Sequence, residues 1–187
     1  MFFTAINLAL ADNGNQIPID KEFFEDTNFL NKYINPYLSA VKQYNGKNIK
    51  INLPNKESES IIAYNKHWFC INSGICYTQI QSGGVNQDNG YTWLNYIYII
   101  VDINGTKKPN RVGRDVFYFN VNLNIDGKAK TNKKPMLSGF VYSLNSNAER
   151  EKMKYQCSSN SSGWSSGSGC TALIMNDNWK ILDDYPW

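Results

Sequence analysis

The order of apolar and polar positions divides the chain into a helical front and a strand-rich body. Over residues 2–11 the apolar side chains recur at helical spacing, and the turn-forming residues 12–15 follow them. A second helix is predicted over residues 29–34, and Pro36 interrupts its pattern. From Lys47 onward the apolar period changes to two, which is typical of strands.

Segments with the alternation or the β-branched and aromatic content of strands follow one another through the body. They are residues 49–53, 61–71, 75–81, 93–101 and 117–123, with a further edge strand at 139–143. The segment 93–101 is apolar on both faces, so we expect it at the centre of the sheet. Helices followed by strands predict an α+β fold, in which the N-terminal helix packs on one face of an antiparallel sheet.

The remaining segments are polar or short. The polar residues 56–60 are predicted to form a solvated loop, and the charged residues 149–154 are predicted to form a short turn or helix. Near the end of the chain, residues 171–176 predict a short helix. Residues 179–181 then predict a strand or a packed tail.

Length and composition favour one ordered domain over residues 1–187. A chain of 187 residues can bury one sizeable core, and its 42% hydrophobic content is too high for a disordered chain. The formal net charge is only +3, and Lys and Arg are interspersed with carboxylates, so the charge pattern disfavours a nucleic-acid-binding protein. We recognise in the sequence neither an apolar segment long enough to span a membrane nor a secretory signal peptide.

Four cysteines lie in surroundings rich in Ser, Asn and Gly: Cys70, Cys76, Cys157 and Cys170. An even count in such surroundings indicates disulfides and an oxidising compartment. Of the three connectivities open to four cysteines, the local pairs Cys70–Cys76 and Cys157–Cys170 are the simplest. Zinc is the alternative, but the spacing contains no Cys-x-x-Cys pair and the single histidine, His67, adds little to a metal site.

The segment 101–117 joins two strong strand candidates and concentrates oxygen-bearing side chains. Its glycines, Gly105 and Gly113, can adopt positive φ at little cost, which suits an ordered connection. Asp102, Asn104 and Asp115 offer hard oxygen ligands of the kind that calcium binds, and Asn110 could add to them.

The same segment also carries charges that oppose a bound dication. Four cations lie between the two aspartates: Lys107, Lys108, Arg111 and Arg114. The competing interpretation is therefore that Asp115 accepts a salt bridge or hydrogen bonds within a turn.

Other candidate chemistry is weaker. Residues 163–167 match Gly-x-Ser-x-Gly, but they lie in a Ser/Gly-rich loop and His67 precedes them, so we expect no catalytic site and no enzyme. The aromatic residues could stack on sugars or contact other proteins. We assign Trp93 and Trp179 to the core, and Trp164, in the loop between Cys157 and Cys170, to the surface as an interaction residue.

Three segments together carry a family resemblance. They are Lys32-Tyr-Ile-Asn-Pro36-Tyr-Leu, then Asp102-Ile-Asn-Gly with Pro109-Asn110 and Gly113-Arg-Asp-Val-Phe117, then Cys170-Thr-Ala-Leu-Ile-Met-Asn-Asp-Asn-Trp179-Lys-Ile. In this order they resemble the type IV pilin-like proteins, which include the prepilin-type pseudopilins of type II secretion systems. The family's N-terminal hydrophobic helix, with its Gly-Phe-Thr-Leu-x-Glu processing site, is missing from this sequence.

The resemblance implies one pilin-like domain with a set order of parts. Residues 1–11 would be the end of the spine helix, residues 12–60 a helical and loop region, and residues 61–187 the sheet with a disulfide-tied C-terminal segment. The implied role is that of a structural subunit, partnered by other pilin-like subunits in an extracellular or periplasmic filament of the type IV pilus or type II secretion pseudopilus kind. Such a subunit is anchored in the membrane, through the missing helix, before assembly.

Two further expectations follow. Some pseudopilins hold calcium in a comparable loop, so calcium is the one cofactor that the resemblance implies. The present chain is expected to be a monomer in solution, with an exposed apolar patch formed by Phe2, Phe3 and Ile6. The alternative function is that of a secreted module that binds a carbohydrate or protein ligand, with or without calcium.

Overall fold

Helices lie towards the two ends of the chain and strands lie between them. The computed structural model describes residues 1–15, 27–39, 41–45, 50–54, 56–62, 67–80, 96–105, 107–122, 137–138, 147–161, 167 and 169–186. The helices are α1 (Phe2–Asp12), α2 (Asn147–Cys157) and α3 (Gly169–Asn176), with a π-helical segment (Leu30–Ile34) and a 3-10 turn (Asn35–Tyr37). The strands are β1 (Lys42–Asn45), β2 (Lys50–Leu53), β3 (Lys56–Ile62), β4 (His67–Cys70), β5 (Cys76–Ile80), β6 (Tyr96–Asp102), β7 (Val116–Asn122) and β8 (Leu137–Ser138).

The main sheet contains six antiparallel strands in the order β1-β4-β5-β6-β7-β8. Strand β6 pairs along its whole length with β7 and over five residues with β5. Strands β2 and β3 form a separate antiparallel pair. The fold is therefore α+β with an antiparallel sheet, as predicted, and the doubly apolar strand is interior, also as predicted.

Helix α1 packs on one face of the sheet. Its buried side chains include Phe2, whose ring meets Tyr77 of β5 edge-on at a centroid distance of 4.9 Å. The π-helical segment adds further apolar side chains to the same core, which also contains Ile99 of β6. This packing contradicts the predicted apolar patch, because Phe2 and Ile6 are only 7% and 2% exposed. The side chain of Phe3 lies outside the described part of the chain.

The opposite face of the sheet is also covered. Ile100 of β6 and Tyr118 of β7 face each other on this side, and Trp68 of β4 belongs to the same buried cluster. Ile51 and Leu53 of β2 pack against them. The sheet is consequently buried on two faces, whereas the sequence predicted a helix against one face.

The C-terminal helices form a smaller core that a disulfide closes. Cys157 at the end of α2 is bonded to Cys170 at the start of α3, and both are fully buried with Met153 and Leu173. The two helices approach so closely that a Cβ on Gly169 would collide with the carbonyl oxygen of Met153.

A second disulfide ties two neighbouring strands. Cys70 of β4 is bonded to Cys76 of β5 across the turn at residues 72–74. Both bonds are the local pairs that the sequence favoured, and the described residues include no free cysteine. Among the described residues no helix is long and apolar enough to cross a membrane.

Two predictions of local structure need correction here. Residues 56–60, predicted as a solvated loop, belong to β3, because their backbone pairs with β2. Strand β1 likewise lies inside the region 12–60 that the resemblance implied to be helical and loop, whereas β2 confirms the strand predicted at 49–53. The short turn or helix predicted at 149–154 is confirmed as a helix and lies within the longer α2.

The third correction concerns the C-terminal tail. Residues 179–181 form neither a strand nor a packed tail, and Trp179 is 56% exposed rather than part of the core. The physical reason is a left-handed turn, because Asn178 and Trp179 both have positive φ, at 55° and 63°. Trp93, Trp164 and the predicted strand at 139–143 lie outside the described residues.

Candidate functional site in the loop between β6 and β7

The loop 103–115 connects β6 and β7, and the structure describes its residues 103–105 and 107–115. Gly105 and Gly113 have φ of 72° and 84°, the left-handed values that the sequence predicted for them. Gly105 also packs tightly, since an added Cβ would lie 2.8 Å from the carbonyl oxygen of Gly74 in the turn before β5. The loop is thus packed against the turn that the Cys70–Cys76 disulfide closes.

Asp115 holds the loop together from its base. Its buried carboxylate accepts hydrogen bonds from the backbone N–H of Arg111 at 2.6 Å and of Asn110 at 2.9 Å. The Asn104 Nδ2 amide donates to the same carboxylate at 3.1 Å, and the Ile103 N–H donates to the Asp115 carbonyl at 2.8 Å. Asp115 is therefore an acceptor of turn hydrogen bonds, which is one of the two roles that the sequence left open.

Asp102 ends β6 beside Asp115 and is only 2% exposed. The pKa of its carboxyl group is raised to about 7, chiefly by burial and in smaller part by the charge of Asp115. Backbone N–H groups of Asn104 and Gly105 act in the opposite direction, and the Asn104 N–H donates to Oδ1 at 3.1 Å. Asn104 consequently bridges the two aspartates, so the structure brings together all three predicted site residues.

Two amide oxygens in this loop have no hydrogen-bond partner within the described part of the chain. Asn104 Oδ1 and Asn110 Oδ1 are buried, and neither has a hydrogen-bond donor among the described residues. Unpaired buried oxygens cost free energy unless a donor or a cation satisfies them. Within the described residues, no group of three or more His, Cys, Asp or Glu side chains could hold a metal ion. A cation at this position would therefore need the amide oxygens as well as the two carboxylates.

Three of the four cations of the loop are exposed, and the fourth, Arg111, is half-buried. Lys107, Lys108 and Arg114 are exposed, whereas Asp102 and Asp115 are buried. The hydrogen bonds that Asp115 accepts come from backbone and amide N–H groups. These three charges are consequently exposed to solvent, which screens their repulsion of a dication.

Distant segments fix the outer part of the loop. Asn52 of β2 donates its N–H to the Asn110 carbonyl at 2.8 Å and its Nδ2 amide to the Pro109 carbonyl at 3.1 Å. The Tyr185 hydroxyl near the C-terminus donates to the Gly113 carbonyl at 2.7 Å. The sequence gives no local signal for these contacts, because the partners are 57 and 72 residues apart.

A second polar cluster, also without a local sequence signal, ties the C-terminal tail to α2. The guanidinium group of Arg150 makes paired hydrogen bonds to Asp177, at 2.9 and 2.8 Å, and to Asp184, at 2.9 Å each. Lys154 adds a contact of 3.0 Å to Asp184. Hydrogen bonds from Arg150 lower the pKa of both carboxyl groups below the usual range.

Comparison with known proteins assigns the chain to a family without a described activity. The chain belongs to the Family of unknown function (DUF6613), whose model matches residues 3–187. No curated protein and no solved structure matches the chain.

Proposed function

We propose that the chain, a member of a family without a described activity, is the globular head of a structural subunit in an extracellular or periplasmic pilin-like filament. The observation that carries the proposal is the order of its parts. The apolar face of α1 packs on an antiparallel sheet, the loop 103–115 follows the central strand, and a disulfide-tied helical segment ends the domain. This is the order that the resemblance to type IV pilins and pseudopilins implies.

The compartment and the exposed face of α1 add support. Two disulfides suit an oxidising extracellular or periplasmic environment. The face of α1 that points away from the sheet carries Leu8, which is 46% exposed. In a filament built around parallel spine helices, this face would contact neighbouring subunits. The domain itself would need no catalytic group and would contribute packing and surface.

Immunolabelling of surface filaments tests this function. Filaments sheared from cells of the source organism are expected to bind antibodies raised against residues 1–187. Recovery of the protein only as a free monomer in the medium or periplasm would contradict the proposal. A Leu8→Arg substitution should reduce filament incorporation without lowering the melting temperature, whereas Ser159→Arg, on an exposed position after α2, should leave incorporation unchanged.

A second candidate is a calcium-dependent secreted binding module. The observation in its favour is the set of oxygens at the base of the loop: two buried carboxylates, of Asp102 and Asp115, and the unpaired Oδ1 atoms of Asn104 and Asn110. Calcium takes six to eight oxygen ligands in irregular geometry and accepts water among them, so these side chains fit it in kind. A bound calcium ion would order the loop and could equally belong to a filament subunit.

Calcium titration tests this site. An ion that binds only the folded protein raises its stability by mass action, so millimolar calcium is expected to raise the melting temperature. Asp102→Ala should abolish that rise, and Asp183→Ala, on an exposed carboxylate, should retain it. Magnesium is the matched control ion. An unchanged melting temperature for the wild-type chain would contradict calcium binding. Asp115 would then serve only as an acceptor of hydrogen bonds within the loop.

A further inference from the structure

A short surface loop near the C-terminus is closed by one guanidinium group. We define the Trp179 loop as residues 178–183. Its flanking residues, Asp177 and Asp184, are both held by Arg150 through paired hydrogen bonds of 2.8 to 2.9 Å. Because both ends are fixed to α2, the loop is preorganised and loses little freedom when a partner binds it.

The loop presents apolar side chains to solvent. Trp179, Ile181 and Leu182 are 56%, 69% and 43% exposed. A positive φ of 63° is rare for a residue as bulky as Trp179, and such strained backbone persists only where surrounding contacts maintain it. The Trp179 N–H donates to the Ile174 carbonyl at 2.7 Å, and its ring stacks on Phe119 at a centroid distance of 6.4 Å.

A groove with matching chemistry, named here the α1 groove, lies elsewhere on the same chain. It has a volume of about 450 Å³ and lies between the start of α1, the residues after the 3-10 turn and the turn before β5. Met1, Leu38 and Ile71 supply apolar wall, and Tyr37 lies beside them. The Tyr37 hydroxyl donates to the exposed Asp12 carboxylate at 2.9 Å, which places a negative charge near the groove.

We propose that the Trp179 loop of one copy docks into the α1 groove of a second copy. This inference rests on the filament function proposed above and names a contact between its subunits. The apolar side chains of the loop would enter the apolar groove, and Lys180, which lies between Trp179 and Ile181, would face the Asp12 carboxylate of the second copy. Loop and groove are different surfaces, so the contact is head-to-tail and can repeat along an open assembly.

The size of the loop sets the expected strength of the contact. Its three apolar side chains expose on the order of 300 Å² together. A stable interface buries about 800 Å² on each partner, so this contact alone should be weak and transient. Isolated domains would then be monomeric when dilute and would associate at high concentration, whereas a filament would add further contacts along its length.

Complementary variants test the proposal. The double substitution Trp179→Ala/Ile181→Ser removes the loop's two most exposed apolar side chains and leaves the groove intact. The double substitution Thr4→Arg/Ser73→Arg fills the groove from two exposed positions and leaves the loop intact. Tyr155→Ala is the matched control, because Tyr155 is an exposed aromatic residue, 58% accessible, on α2. Thermal unfolding by circular dichroism would establish that each variant is folded.

Sedimentation velocity over a concentration series supplies the measurement. The apparent mass of the wild-type domain and of Tyr155→Ala should rise with concentration, up to about millimolar, while each double variant alone should stay monomeric. Mixing the two double variants should give one-to-one pairs that grow no further, because each brings one intact surface. A loop variant that associates like wild type, a mixture that fails to pair, or a wild-type domain that stays monomeric at millimolar concentration would overturn the proposal.

These outcomes are distinct from those that test the filament function. Labelled filaments together with absent pairing would reject the docking contact and keep the subunit role. Pairing together with unlabelled filaments would reject the subunit role and leave the head-to-tail contact as a property of the free domain.

Discussion

Among single residues, Asp115 carries the heaviest structural role in the loop 103–115. Its buried carboxylate accepts three N–H groups, and removing it would leave donors buried without an acceptor. Asp115→Ala is therefore expected to lower the free energy of unfolding by about 3 kcal/mol. Urea unfolding monitored by circular dichroism measures the change.

A matched pair of variants separates charge from volume at this position. Asp115→Asn keeps the side-chain volume but leaves one acceptor oxygen, so its loss of stability should lie between zero and that of Asp115→Ala. Asp183→Ala removes an exposed carboxylate and should change stability by less than about 0.5 kcal/mol. An Asp115→Ala variant as stable as the wild type would show that the hydrogen bonds at 110–111 do not depend on this carboxylate.

The residues of this site differ in how far sequence could predict them. Asp102, Asn104, Gly105 and Asp115 lie close together along the chain, and the flanking strands require their loop to turn back, so local chemistry predicts their meeting. Asn52 contacts the same loop from β2, and no local pattern indicates this. Long-range hydrogen bonds depend on how the elements pack, which composition and spacing do not encode.

Among the elements, the attachment of the C-terminal tail to α2 should depend on pH. Arg150 lowers the pKa of Asp177 and Asp184 in the folded protein, below the unfolded value of about 3.9. Such carboxyl groups stabilise the fold fully above the unfolded pKa, and this stability is lost as the pH falls through the folded pKa. Wild type should thus exceed Arg150→Gln in stability above about pH 5, and the difference should shrink below about pH 4.

Urea midpoints for the two proteins between about pH 2 and 6 would show this convergence. Lys107→Gln is the control, because Lys107 is exposed and forms no ion pair within the described residues. Its stability difference from wild type should be small and flat over the same range. A difference between wild type and Arg150→Gln that stays constant down to pH 2 would contradict the proposed origin of the lowered pKa values.

The two disulfides should contribute unequally, because they close loops of different length. Cys157–Cys170 spans 13 residues and Cys70–Cys76 spans 6. The loss of unfolded-state entropy predicts about 3 kcal/mol for the first and about 2 kcal/mol for the second. Replacing each pair by alanines and comparing urea unfolding checks the order, and a larger loss for the Cys70–Cys76 pair would refute it.

The elements also show where sequence patterns fail to predict the local structure. Helix α1 and strands β5, β6 and β7 were predicted because their apolar periods are clear. Residues 56–60 were predicted as a loop because they are polar, yet pairing with β2 makes them a strand. Strand propensity depends on the partner more than on the residues themselves. At Trp179 the aromatic side chain suggested burial, but the left-handed turn at 178–179 leaves it exposed.

In the whole molecule, the main sheet is covered on both faces, and the strand that covers the second face also contacts the candidate site. On one side α1 and the π-helical segment bury Ile99. On the other side β2 buries Ile100, and the same strand holds the loop 103–115 through Asn52. The cover of the second face is thus also the support of the candidate site. Sequence predicted an interior β6 from its two apolar faces but did not identify what covers the second one.

Neighbouring substitutions on β6 test this two-sided packing. Ile99 and Ile100 are both fully buried and point to opposite faces, so Ile99→Ala and Ile100→Ala should each lower the free energy of unfolding by about 2 to 5 kcal/mol. Ile103→Ala, at a position that is 49% exposed beyond the end of the strand, should change it by less than about 0.5 kcal/mol. A sheet with one solvent-facing side would instead make Ile100→Ala nearly neutral. Urea unfolding of the three variants distinguishes these outcomes, because a small loss at Ile100 beside a large loss at Ile99 would mean that β2 does not cover the second face in solution.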